Sequence, residues 1–133
     1  MRYILDTDTC IWVLRQKEPV LSRVRALSPD DLAVTAMTEA ELRYGARNSR
    51  DPAAGMARVE TFLSAPIESL PFDSDAARWH AELRYALRPT PIGERDLVIA
   101  SVAVANGHTF VTRNTAEFAR VPGLVCQDWT VAG

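Results

Sequence analysis

Five short apolar runs set the rhythm of this chain: RYIL (2–5), LAVTA (32–36), IESL (67–70), TFVT (109–112) and LVC (124–126). None alternates polar with apolar residues, which is the mark of strands buried on both faces. Between most of them lie stretches of helical character. Helices are expected from Cys10 to about Gln16, Val20 to Leu27, 37–48, Ala53 to Leu63, 74–88, 94–105 and near 115–119. Ser28-Pro29, Pro66, Pro89 with Pro91, and Asn106-Gly107 punctuate them, because proline cannot continue a helix and glycine readily closes one. Strands alternating with helices predict a parallel sheet covered on both sides. The expected fold is a three-layer α/β/α domain with about five short parallel strands.

At 133 residues the chain has the length of one domain, and 47% apolar with 24% charged residues is globular composition. The longest near-apolar run, Leu97 to Ala105, is far below the roughly 20 residues of a membrane-spanning helix, so no membrane association is expected. The start carries Asp6 and Asp8 where a secretory signal would be basic and then apolar, and two cysteines, Cys10 and Cys126, form no disulfide framework. A cytoplasmic location follows as the expectation. With only His80 and His108, the chain has little material for a zinc site or a histidine base. The net charge of −2 does not announce a nucleic-acid binder. Of the 15 basic residues only Lys17 is a lysine. Arginine suits bidentate phosphate contacts, and an arginine-rich coding bias produces the same excess.

In an open parallel sheet, ligands bind outside the carboxyl ends of the strands. Asp6 directly follows the first run, Glu41 lies about one helical turn past the second, Asp96 opens the helix 94–105, and Asn114 follows the fourth run. Clustered carboxylates stay ionised together only around a cation, and oxygen ligands without histidine or cysteine select Mg²⁺ or Mn²⁺. Each position also has a plainer explanation. Asp8 is better placed than Asp6 to cap the first helix. Asp96 sits where the helix dipole favours any acid. Asn114 and Glu117 form an N-x-x-E capping pattern. Glu41 is harder to explain away, because helical spacing sets it on an arc with Met37, Ala40, Tyr44 and Gly45, whereas Glu39 has Arg43 four residues on as a routine solvated pair. Trp12, Trp79 and Trp129 read as core or interface anchors.

YILDTDTCIWVLR (3–15), TEAELRYGARNS (38–49), PIGERDLVIASVAVANG (91–107), FVTRNTAEFARVPGL (110–124) and DW (128–129) span nearly the whole chain. In this order and spacing they resemble PIN-domain ribonucleases, specifically the VapC toxins of bacterial toxin–antitoxin pairs. The resemblance implies a PIN-like domain over 1–133 in which Asp6, Glu41 and Asp96 bind metal. Asn114 stands where many PIN domains carry a fourth acid. A neutral amide is the weaker ligand, and Glu117 one helical turn on is placed to compensate. Thr7 and Thr112 match small hydroxyl positions bordering the site, and Arg43, Arg47, Arg95 and Arg113 are expected to hold RNA phosphates. The implied chemistry is RNA phosphodiester hydrolysis, with Mg²⁺ (Mn²⁺ the alternative) polarising the phosphate and activating a water. Transfer RNA is the target the family suggests, with messenger or ribosomal RNA as alternatives. The implied partners are a second copy of the chain in a homodimer and a cognate VapB-type antitoxin, through which alone operator DNA is reached.

Two other classes compete. Asp6-Thr7-Asp8 after a first strand also matches the opening of haloacid-dehalogenase-type phosphatases. Those enzymes need a downstream lysine, and here Cys10 takes the last motif position while Lys17 falls in the first helix. A non-catalytic binding module is the other alternative, and it leaves the acids without a task.

Overall fold

A computed structural model describes residues 2–131 of the chain and builds it around β1 (Tyr3–Leu5). On one side of β1 lies β2 (Leu32–Thr35), followed by β3 (Glu68–Leu70). On the other lies β4 (Thr109–Val111), followed by β5 (Cys126–Gln127). The order is β3-β2-β1-β4-β5 and all pairs are parallel, as the alternation of runs and helices predicts. Register aligns Ile4 with Ala33 and with Phe110, and Leu5 with Val111.

Side chains alternate across each strand, so one set of runs feeds two cores. Ile4, Ala33 and Phe110 point to one face and pack under α5 (Ser74–Ala86) and α6 (Glu94–Asn106), with Ala76, Leu83, Ile99 and Ala103. Leu5, Leu32, Val34 and Val111 point to the other. There they meet α1 (Thr7–Leu14), α2 (Val20–Arg25), α3 (Ala36–Arg47) and α4 (Pro52–Leu63) through Cys10, Val20, Leu42, Ala46 and Val59. This double burial explains why the runs carry no polar alternation. Phe110 is fully buried and edge-on to Phe118 of α7 (Thr115–Phe118), with ring centres 4.8 Å apart. Trp129 is buried against Tyr3, whereas Trp79 is exposed. No helix among the described residues is long and apolar enough to cross a membrane.

Capping sets the helix boundaries that matter for the site. Thr35 ends β2 and caps α3, its hydroxyl accepting from Thr38 N–H at 3.1 Å. Gly107 closes α6 at φ +66°, a left-handed turn that glycine adopts without penalty, and so launches β4. Several expected boundaries shift by a residue or two, and two of the differences have a visible cause. The first helix begins at Thr7, three residues before Cys10, because Asp6 caps it. The last strand is Cys126–Gln127 rather than 124–126, because pairing with Phe110 and Val111 fixes its register while Leu124 is still held in a turn by the Val121 carbonyl.

Candidate active site

The chain runs from β1 outward to β2 and β3, then returns to the opposite side of β1 as β4. The carboxyl ends of β1 and β4 therefore flank the point where the strand order reverses, which is where open parallel sheets open a crevice. A cleft of about 560 Å³ lies there. Asp6, Thr7, Asp8 and Ile11 line it from the end of β1 and from α1. Glu41 comes from α3, Asp96 and Ile99 from α6, and Arg113, Asn114 and Phe118 from the segment after β4. Asp6, Glu41, Asp96 and Asn114, far apart in sequence, thus share one cleft.

Asp6 is 8% exposed and does two jobs at once. Its Oδ1 accepts the Thr9 N–H at 2.8 Å, which caps α1. Burial raises its pKa, and hydrogen bonds from Thr112 and Thr9 partly oppose that rise by stabilising the carboxylate. Thr112 is fully buried beneath it and also accepts the Asn114 N–H at 3.0 Å. Asp8, the expected cap, instead sits in the first turn of α1. It pairs with Arg113 at 3.1 Å across the cleft mouth.

Glu41 stands on α3 at the edge of the buried stripe Thr38–Leu42–Ala46, with its side chain 25% exposed. The arc expected to enclose it faces largely outward: Ala40 and Gly45 are exposed and Tyr44 is 70% exposed. Glu41 is held by polar partners instead. Thr7 donates to its Oε1 at 2.5 Å, and Arg95 Nε lies 3.6 Å from its Oε2.

Asp96 lies in the first turn of α6, and its pKa is pushed up to about 6. Burial is the main cause, followed by repulsion from Glu117, Glu41 and Asp6. Asn114 begins α7 but makes no side-chain cap. Its Nδ2 donates to Glu117 Oε2 at 2.5 Å in place of the expected capping box; Glu117 does not line the cleft but lies close enough to Asp96 to raise its pKa.

Of the expected RNA-contacting arginines, Arg113 lines the cleft and Arg95 stands at its rim beside Glu41. Arg43 is turned to Glu39 and to Glu60 of α4, and Arg47 is exposed in the last turn of α3. Neither lines the cleft.

A family model described as "PIN domain" matches residues 3–124. The chain belongs to the PIN-domain family. As a PIN domain it is 35% identical to a Salmonella typhimurium protein described as a tRNA(fMet)-specific endonuclease VapC, over 97% of this chain and 98% of that one. Its fold is similar to the DNA-bound VapBC complex of the same organism, with a TM-score of 0.90 at 35% identity, covering 97% of this chain and 98% of that chain. It is also similar to Rickettsia felis VapBC2 bound to a promoter DNA fragment, with a TM-score of 0.89 at 30% identity over 97% and 99% of the two chains.

PIN-domain ribonucleases depend on a divalent metal, and the donor set of this PIN domain suits one. The lining offers carboxylate, amide and hydroxyl oxygens, and among the described residues no histidine or cysteine, which selects hard cations. As the side chains stand, no three acids, histidines or cysteines among the described residues are drawn close enough to form a ligand cluster. Glu41 is hydrogen-bonded by Thr7, and Asn114 by Glu117. Cys10 is no alternative nucleophile. Burial, then the Asp6 charge, hold its thiol well above the ordinary range, so it stays protonated. The phosphatase reading loses its lysine, because the Lys17 ammonium sits 5.4 Å over the Trp12 ring and does not line the cleft.

Sequence reading missed Ile11, Ile99 and Phe118, the apolar floor of the cleft, and Thr38 behind Glu41. The floor carries no distinctive signal. Thr38 does carry one, since T-x-x-E places a hydroxyl and a carboxylate on one helical face.

Proposed function

We propose that this chain is a Mg²⁺-dependent endoribonuclease that acts as the toxin of a toxin–antitoxin pair. The observation that carries the reading is the shared cleft at the β1/β4 reversal. It gathers Asp6, Glu41 and Asp96 with no histidine base or protein nucleophile, which is the equipment of metal-assisted phosphodiester hydrolysis. Asp6, Glu41 and Asp96 would hold the metal, with Asn114 and Glu117 at its edge. The bound cation would supply charge neutralisation at the phosphate and an activated water. This chain's own residues do the rest. Thr112 and Thr7 hold Asp6 and Glu41 in place, while Arg95 and Arg113 at the rim receive phosphates flanking the scissile bond.

The substrate is proposed to be transfer RNA, on the likeness to a tRNA-specific relative, and the site of action the cytoplasm. The partners are proposed to be a second copy of the chain and a VapB-type antitoxin that alone contacts operator DNA, on the likeness to DNA-bound VapBC complexes. Residues 1–133 are proposed to work as one nuclease domain. Mg²⁺ is preferred over Mn²⁺ on the all-oxygen donor set. The test is cleavage of a tRNA pool by purified chain with Mg²⁺, with Mn²⁺ and with EDTA, alongside Glu41→Gln. Cleavage that requires the metal and falls by at least about 100-fold in Glu41→Gln, with an unchanged melting curve, is expected. Equal cleavage by Glu41→Gln would overturn the reading.

A further inference from the structure

Glu41 is reached from behind by two hydroxyls. Thr7 Oγ1 lies 2.5 Å from Glu41 Oε1, and Thr38 Oγ1 lies 3.1 Å from Thr7 Oγ1. Thr38 occupies the first turn of α3, one turn before Glu41, and is 0% exposed. Its N–H is already donated to Thr35, and no buried side-chain oxygen or nitrogen among the described residues is left without a partner. Each hydroxyl has one proton to give and a carboxylate only accepts. Thr7 must therefore give its proton to Glu41, and its oxygen must accept from Thr38. The reverse direction would leave Glu41 Oε1 facing a lone pair.

The chain Thr38→Thr7→Glu41 ties α3 to the start of α1 and holds one carboxylate oxygen. The other, Oε2, is left on the side of Arg95 and the cleft rim. We propose that Thr38 is a positioning residue of the metal site: by donating to Thr7 it commits the Thr7 proton to Glu41 Oε1 and leaves Oε2 to the cation. The proposal rests on the metal-dependent reading of the cleft. Groups that orient a ligand from behind typically change metal affinity or activity by about 10–100-fold when removed.

The test is Mn²⁺ binding by calorimetry and electron paramagnetic resonance on the full chain without RNA. Thr38→Val keeps the volume and removes the hydroxyl, so Mn²⁺ affinity is expected to fall by about 10-fold. Thr38→Ser restores the hydroxyl and is expected to restore affinity. Should the valine chain fail to fold, Thr38→Ala against Thr38→Ser makes the same comparison, since the two differ only in the hydroxyl. Thr7→Val should weaken binding on its own, and adding Thr38→Val to it should cost nothing more, because the two act in series. Cleavage lost in Thr38→Val should return at high metal concentration. Unchanged Mn²⁺ affinity in Thr38→Val, a serine variant as weak as the valine, or independent losses in the double variant would each overturn the relay while the metal site stands. A wild-type chain that binds no Mn²⁺ would remove the metal reading and the relay together.

Discussion

Replacing Asp96 by Asn should make the metal-free protein more stable, and only above a certain pH. The folded protein keeps a proton on Asp96 up to about pH 6, whereas the unfolded chain releases it near 3.8. Folding is therefore favoured at low pH, and the advantage is lost as pH rises from about 4 through 6. The span from 3.8 to about 6 corresponds to about 3 kcal/mol at full effect. Asp96 is half-buried, and solvent screening reduces that to about 1–1.5 kcal/mol. Against it stands the loss of a first-turn charge on α6, about 0.3–1 kcal/mol. Repulsion is the larger effect, so Asp96→Asn should gain about 0.5–1 kcal/mol at pH 8, a rise of about 2–4 °C in melting temperature. The gain should shrink as pH falls through 6 and vanish only below about 3.8, where Asp96 is protonated in both the folded and the unfolded chain. Thermal and urea melts in EDTA between pH 4.5 and 8 measure it. Adding Mg²⁺ should stabilise the wild type and not the variant. A stability difference that does not change with pH, or a wild type more stable than Asp96→Asn at pH 8, would refute the electrostatic argument.

Asp6→Asn and Asp6→Ala should both abolish cleavage. The Asn variant keeps the acceptor for the Thr9 N–H and should be about 1 kcal/mol more stable than Ala in denaturant melts, which isolates the cap from the charge. Arg43→Gln should leave cleavage unchanged and cost no more than about 1 kcal/mol, since its partners are the partly exposed Glu39 and the exposed Glu60. Arg113→Gln should instead raise KM for RNA several-fold and flatten the salt dependence of binding, as loss of one phosphate contact does.

How the fold was written into the residues is clearest at the strands. Runs without polar alternation foretell two-sided burial, and Leu5 and Ile4 feeding opposite cores are that burial realised. The last strand begins two residues later than expected because its limits come from hydrogen bonds to β4, which no local pattern encodes. At the site, strand-end placement was enough to bring Asp6, Glu41, Asp96 and Asn114 to one cleft. The reason offered for Glu41 did not survive, since the arc around it is open to solvent and two threonines hold it. Thr7 and Glu41 meet across 34 residues, a contact that helical spacing cannot reveal. Asp6 and Asp8 exchanged capping roles for a similar reason: the start of α1 depends on which side chain reaches the Thr9 N–H.

The sheet order also bears on when the site can exist during synthesis. β1 is made early, yet the strand that shelters Asp6 on its far side is β4, residues 109–111, and the Asp6 backbone N–H is held by the Val111 carbonyl at 3.0 Å. Every nascent fragment that stops short of β4 lacks the neighbour that completes the crevice, and one that stops before α6 lacks Asp96 as well. The chain is therefore inert until α6 and β4 have both been made and have folded against β1. Fragments that stop before β4 carry Asp6 and Glu41 without the assembled cleft, so completion of the site is tied to the pairing of β4 with β1.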